Sequence, residues 1–196
     1  MIRLGFLASN NGTSMRAIVE AINSGQLDAR AVVAISNRRA APALKFAADH
    51  GIATHVIATA ADPDLADEEL AALLYDTNTE LVVLSGYLRK LGPRTLAAYP
   101  RRILNIHPAL LPRHGGVGMY GRRVHEAVLA AGDTVSGASV HIVDGEYDHG
   151  RIIAEVELPI LQGDTAESLE RRVMAAEPEL FIETLQRIAS GAITLE

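Results

Sequence analysis

Through its first two thirds the chain alternates apolar runs of strand length with segments of helical period, and this alternation restricts it to very few architectures. The apolar runs predict strands near 2–8, 30–36, 53–57, 80–85 and 102–106, and the periodic stretches predict helices near 14–23, 40–50, 65–75 and 93–98. Parallel strands must be joined by long crossovers, so strands and helices in strict alternation build a parallel sheet with helices on both faces. The expected fold is therefore α/β of Rossmann type, with a mostly parallel central sheet flanked by helices.

After Pro108 the pattern changes. His114 to Gly121 is glycine-rich and reads as a loop, followed by a helix near 122–131 that ends at Gly132. Two further strands, near 136–143 and 151–158, bring the sheet to about seven and enclose the acidic segment Asp144 to Gly150. A long helix near 165–189 closes the chain, with Asp164 or Thr165 as its N-cap and Glu167 in its first turn. No repeat, low-complexity tract or linker divides these elements, and a hydrophobic content of 48% supports a sizeable core. Residues 1–196 are expected to form one domain, an N-terminal half of about 1–100 and a C-terminal half of about 101–196.

Composition narrows the chemistry. Twenty-four acidic against 18 basic residues give a formal charge of −6, which argues against the broad positive field used to hold nucleic acid. There is no cysteine, hence no disulfide, thiol nucleophile or thiolate metal site. The apolar run Ile2 to Ala8 is too short for a signal-peptide core or a membrane span, so a cytoplasmic location is expected.

Three segments could carry chemistry. The first strand runs into Ser9-Asn10-Asn11-Gly12-Thr13-Ser14, a turn of small and hydroxyl residues at a positive helix end, which suits a phosphate. It also reads as an ordinary βα turn with an N-cap, and it lacks the repeated glycines of a dinucleotide site or a P-loop. In Leu104-Asn105-Ile106-His107-Pro108, Asn105 and His107 lie two apart on a strand and share a face, and Pro108 stops the strand just beyond them. They are thus placed at the carboxyl edge of the sheet, where ligands of open α/β folds bind. An amide donor beside an imidazole can stabilise a developing oxyanion and move a proton, although a histidine capping a strand end is the plainer alternative. The third segment, Asp144 to Gly150, is bracketed by Gly145 and Gly150. Its Asp148 is the candidate working carboxylate, expected either to raise the pKa of the imidazole and orient it or to accept a proton through water, with His141 either a core residue or its support.

Together these segments resemble the formyltransferase family that uses 10-formyltetrahydrofolate. The resemblance covers essentially the whole chain and is carried by SNNGTSMRAI, AISNRRAAPALKFAADHGI, LVVLSGYLRKL, ILNIHPALLP, VHEAVLAAGDTVSGASVHIVDGEYDHGRII and the last helix. It implies a Rossmann-like formyltransferase fold and direct transfer of a formyl group to a primary amine, without metal. The family's catalytic asparagine, histidine and aspartate fall on Asn105, His107 and Asp148. Gly12, Thr13 and Ser14 match its phosphate turn, and Glu177 matches a glutamate that contacts the acceptor. Leu88, Arg89, Lys90 and Leu91, with Val143, Asp144, Gly145, Glu146, Tyr147, Asp148 and Asn105, match the folate wall; His125 and His141 match supporting histidines. In the implied reaction a neutral amine attacks the formyl carbon, and His107 as imidazolium with the Asn105 amide stabilises the oxygen that becomes negative.

The implied acceptor is glycinamide ribonucleotide, and the implied partners are small molecules rather than nucleic acid or membrane, with the protein a monomer or homodimer. An amino-sugar or amino-acid acceptor is the alternative, and a non-catalytic folate- or nucleotide-binding domain the remote one. Sister enzymes that formylate methionyl-tRNA or hydrolyse formyltetrahydrofolate carry additional domains that 196 residues do not accommodate. The chain departs from the family pattern at Gly115 to Arg123, at Pro178, where a histidine is usual, and at Ala60 to Asp64, which lacks an arginine found in some members.

Overall fold

A computed structural model describes residues 1–195. The described residues form β1 (Ile2–Leu7), α1 (Thr13–Asn23), β2 (Ala29–Ser36), α2 (Pro42–Asp49), β3 (Ala53–Val56), α3 (Pro63–Asp76) and β4 (Leu81–Leu84). They continue with α4 (Pro93–Ala98), β5 (Ile103–His107), α5 (Arg122–Ala130), β6 (Val135–Ile142), β7 (Ile152–Pro159) and α6 (Ala166–Ala189). One seven-stranded sheet runs in the order β3-β2-β1-β4-β5-β6-β7. The first five strands pair in parallel; β6 and β7 are antiparallel to their neighbours. This is the Rossmann-like arrangement that the alternating sequence predicts.

Burial explains why the parallel strands read as continuous apolar runs. Leu4, Phe6, Val83 and Leu104 pack into a core with Met15, Ile18 and Phe181, while Leu7, Val82 and Ile103 enter a second core with Leu70, Leu74 and Tyr99. Strands covered on both faces have no polar side to alternate with. Outer β7 instead alternates half-buried and exposed residues, as befits one covered face. No helix among the described residues is long and apolar enough to cross a membrane.

Local signals set the helix boundaries. Asp62 accepts the Leu65 N–H at 3.0 Å and Pro63 occupies the first turn, so α3 starts two residues before the predicted boundary. Thr165 caps α6 through a reciprocal bond with Ser168, and Asp164 accepts from Ser168 and pairs with Arg172. Pro178 sits inside α6 without ending it; lacking an N–H, it leaves the Met174 carbonyl without its usual intrahelical donor.

The two glycines bracketing the acidic loop differ in role. A Cβ on Gly150 would collide with the Ile142 carbonyl oxygen, whereas one on Gly145 would meet open space. Gly150→Ala should therefore lower stability by about 1–3 kcal/mol, and Gly145→Ala should change it by less than about 0.5 kcal/mol. Urea denaturation midpoints at constant m-value check both.

Candidate active site

The strand order changes direction between β1 and β4, and a cleft of ≈ 720 Å³ opens there, at the carboxyl ends of β1, β4 and β5. Two buried serines tie its floor together. Ser9 Oγ donates to Asn37 Oδ1 (2.7 Å) and accepts the Leu88 N–H (2.9 Å), while Ser85 Oγ accepts the Met15 N–H (2.9 Å). Three βα turns are thereby fixed relative to one another.

On one side of the cleft, Gly12 takes a left-handed conformation (φ 63°) and begins α1. Gly12 has no side chain to cap this helix; Ser85 takes the Met15 N–H, and among the described residues the N–H groups of Thr13 and Ser14 have no protein acceptor. Arg16 braces the turn, donating to the Asn11 carbonyl at 2.8 Å and lying 4.7 Å from the centre of the Phe46 ring. Free N–H groups at a positive helix end, beside a cation, form a ready anion site.

At the opposite side, β5 ends in Asn105 and His107, and the β6–β7 loop brings Asp148 against them. Asp148 is one of the few non-glycine residues with positive φ (54°), a conformation that aspartate tolerates better than most residues and that turns its carboxylate back toward the sheet. Its Oδ2 lies 3.4 Å from His107 Nδ1 and accepts the Gly116 N–H at 3.0 Å; its Oδ1 lies 3.5 Å from His141 Nε2. His141 Nε2 is also 3.0 Å from Asn105 Nδ2, so one buried ring stands between amide and acid. Because His141 Nδ1 donates to the Ile142 carbonyl at 3.1 Å, Nε2 can accept one amide hydrogen of Asn105, leaving the other for the cleft. His107 Nε2 donates to the His114 carbonyl at 2.8 Å. A carbonyl only accepts, so the neutral ring carries its proton on Nε2 and presents a lone pair at Nδ1.

The electrostatics follow from burial. His107 is 3% exposed, and burial lowers its pKa; the adjacent Asp148 charge and the His114 carbonyl offset only part of the effect. The expected rise is thus corrected: desolvation outweighs the carboxylate, and the resting ring is predominantly neutral near pH 7. For Asp148, burial acts to raise the pKa, but the contact with His141, the charge that His107 carries once protonated, and the Gly116 N–H outweigh it and hold the carboxyl below its usual range. Across the cleft, desolvation raises Glu177 to about 7. The buried His125 is lowered by desolvation, and its Nδ1 has no protein partner.

The cleft brings together Gly12, Thr13, Ser14, Leu88, Asn105, His107, His125, Tyr147, Asp148 and Glu177 from the sequence-predicted set. His141 lies behind it as a support. Arg89, Lys90, Leu91, Val143, Asp144, Gly145 and Glu146 do not line it; Leu91 packs into the second core, and Asp144 folds back on Glu146 N–H and His149. The glycine-rich stretch forms the loop expected, and its Gly116 to Gly121 form part of the wall. Sequence reasoning missed Ser85, Tyr87, Glu170 and Met174, which also line the cleft. Ser85 and Tyr87 follow a strand carboxyl end, a usable signal; Glu170 and Met174 precede Glu177 by seven and three positions on α6, one helix face.

Comparison with known proteins places the chain in a family. The formyl transferase family matches residues 2–185. The chain is 36% identical over 194 residues to the chloroplastic phosphoribosylglycinamide formyltransferase of Arabidopsis thaliana, covering 97% of this chain but 66% of that protein, just under two thirds of its length. It is 34% identical to the Escherichia coli phosphoribosylglycinamide formyltransferase, over 96% of this chain and 88% of the relative. Among solved structures, glycinamide ribonucleotide transformylase 1 of Symbiobacterium toebii superposes with a TM-score of 0.91 at 36% identity, covering 100% of this chain and 91% of that one. Family match and fold agree, and the chain belongs to the formyl transferase family.

Proposed function

We propose that the protein transfers the formyl group of 10-formyltetrahydrofolate to the primary amine of glycinamide ribonucleotide, a step of purine synthesis. The observation that carries this reading is the union, in one cleft, of a helix N-terminus whose Thr13 and Ser14 N–H groups have no protein acceptor with the Asn105, His107 and Asp148 cluster. The distribution of charge supports a phosphorylated amine over an uncharged one: Thr13 and Ser14 offer N–H groups to a phosphate, and Glu177, on the facing helix, offers a carboxyl to hydroxyl or amine donors. Relatives named for the same reaction support it further.

The folate would supply an activated formyl carbon. The residues present fit such a ligand: Leu88 and Tyr147 are half exposed at the cleft, and Ile106, Val117 and Met119 add apolar surface suited to a flat ring. Of the two segments matched to the folate wall, Leu88 on one side and Tyr147 with Asp148 on the other reach the cleft and bound that surface. Asn105 donates its free amide hydrogen to the formyl oxygen as negative charge gathers there. His107 Nδ1, a lone pair in the resting ring, takes the proton that the amine sheds and passes it to the departing group. Asp148, already ionised, stabilises the imidazolium while it lasts. His141 keeps the amide and acid in register, and His125 offers its unpaired Nδ1 to the acceptor side.

The N-terminal half would thus hold the phosphate and the C-terminal half the folate and the chemistry, within one cytoplasmic domain acting as a monomer or homodimer. Nucleic acid and membrane are not partners in this reading.

The direct test offers the protein 10-formyltetrahydrofolate with a panel of amines, including glycinamide ribonucleotide, its dephosphorylated form, amino sugars and amino acids. Consumption of the ribonucleotide far ahead of its dephosphorylated form is expected; equal rates, or preference for an uncharged amine, would reject the acceptor. Asp148→Asn should reduce turnover by about 10²–10⁴ while folate affinity changes little. The same variant tests the charge assignments. Asp148 raises the His107 pKa, so removing its charge should move the NMR titration midpoint, already lowered by burial, further down. An upward move would contradict the account.

A further inference from the structure

The bond that fixes the tautomer of His107 is made by a residue in an unfavourable backbone state. His114, whose carbonyl accepts from His107 Nε2, has φ 55°, in the left-handed region that a non-glycine side chain occupies at a cost. Something must hold it there. Its own ring is anchored: His114 Nε2 donates to Asp133 Oδ2 at 2.7 Å, and Arg113 pairs with Asp133 Oδ1 at 2.6 Å. Asp133 lies in the turn between α5 and β6, outside the cleft, and both members of the pair are largely buried.

The anchored segment also reaches the acid. Two residues beyond His114, the Gly116 N–H donates to Asp148 Oδ2 at 3.0 Å. Gly115 between them is closely packed: a Cβ there would displace the tip of Leu111 and stand 3.1 Å from Asp148 Cβ. Residues 114–116 therefore clasp the imidazole and the carboxylate at once, and the clasp is tied to the protein through one ring and one carboxylate.

We infer that Asp133 is a positioning residue: through the His114 ring it holds the carbonyl that keeps the His107 proton on Nε2, and so keeps Nδ1 free on the side facing Asp148. The catalytic consequence rests on the function proposed above, but the tautomer consequence does not. Without the anchor, the His114 carbonyl is free to turn away and the neutral His107 ring gains access to its Nδ1-protonated form, in which the proton-accepting nitrogen points away from Asp148.

Two substitutions test this in the full chain. Asp133→Asn removes the carboxylate charge at nearly constant shape. His114→Gly removes the ring at a backbone position where glycine is at ease, so this variant should fold even if the first does not. In both, ¹⁵N NMR of the His107 ring should show the Nδ1-protonated tautomer gaining population, and kcat should fall about 10- to 100-fold with KM for both substrates within about twofold. A purely structural role would lower thermal stability and leave the ring signals in place. Wild-type His107 signals in folded Asp133→Asn and His114→Gly would overturn the inference, as would a displaced ring with kcat unchanged. If the wild-type protein formylates no amine yet both substitutions displace the ring tautomer, the functional reading falls and the anchoring of His107 by Asp133 stands.

Discussion

The pairing of β5 with β6 is the constraint on which the site depends. These strands run antiparallel with Asn105 opposite His141 and His107 opposite Ser139, immediately after the parallel part of the sheet ends. A slip of one residue would send the amide and imidazole to the opposite face, away from the cleft. The register also decides where the β6–β7 loop emerges, and therefore whether Asp148 can reach both histidines. Ser139 locks it from beneath: its hydroxyl accepts the Leu111 N–H at 3.0 Å and shares its one proton between the Ala109 carbonyl and Glu155 Oε1, pinning the chain that leaves β5. Gly150, pressed against Ile142, allows β7 to return at the distance this geometry needs.

Burial then sets the chemistry that the pairing has assembled. An imidazole in water beside a carboxylate would be a better base than usual; His107 is instead desolvated, and its pKa falls. The ionised Asp148 partly compensates, leaving a ring that is neutral at rest and can still be protonated during turnover. Glu177, raised to about 7 by the same desolvation, sits across the cleft with no cation paired to it among the described residues. The two ends of the cleft thus treat charge differently. One end shares it among paired groups, and the other leaves a carboxyl ready to be completed by a ligand.

Much of this was legible in the sequence. Strands and helices fell within about two residues of expectation because apolar runs in a parallel sheet are sharply bounded by turn residues. The Asn105–His107 pair could be placed at a strand end from its spacing and Pro108 alone. Asp148 could be picked out as a candidate from its glycine-bracketed acidic loop, but not placed: its approach depends on a left-handed backbone and on a register that no local pattern records, and only the family resemblance joined it to the other two. The pKa of His107 was misjudged for a related reason, since the loop that buries the ring folds back from residues 114–116. Asp133 and Glu170 escaped notice because each enters through another element, and a lone carboxylate near a helix end or on a helix face carries no signal of its own.

A crystal structure of the protein with glycinamide ribonucleotide and a folate whose formyl group cannot leave tests the central claim most directly, since it asks whether amide, imidazole and acid converge on one carbonyl. The account predicts the phosphate on the Thr13 and Ser14 N–H groups, the formyl oxygen within hydrogen-bond reach of Asn105 Nδ2, and the amine about 3–3.5 Å from the formyl carbon on the His107 Nδ1 side. A formyl group bound away from Asn105 and His107, with Asp148 still paired to them, would contradict it.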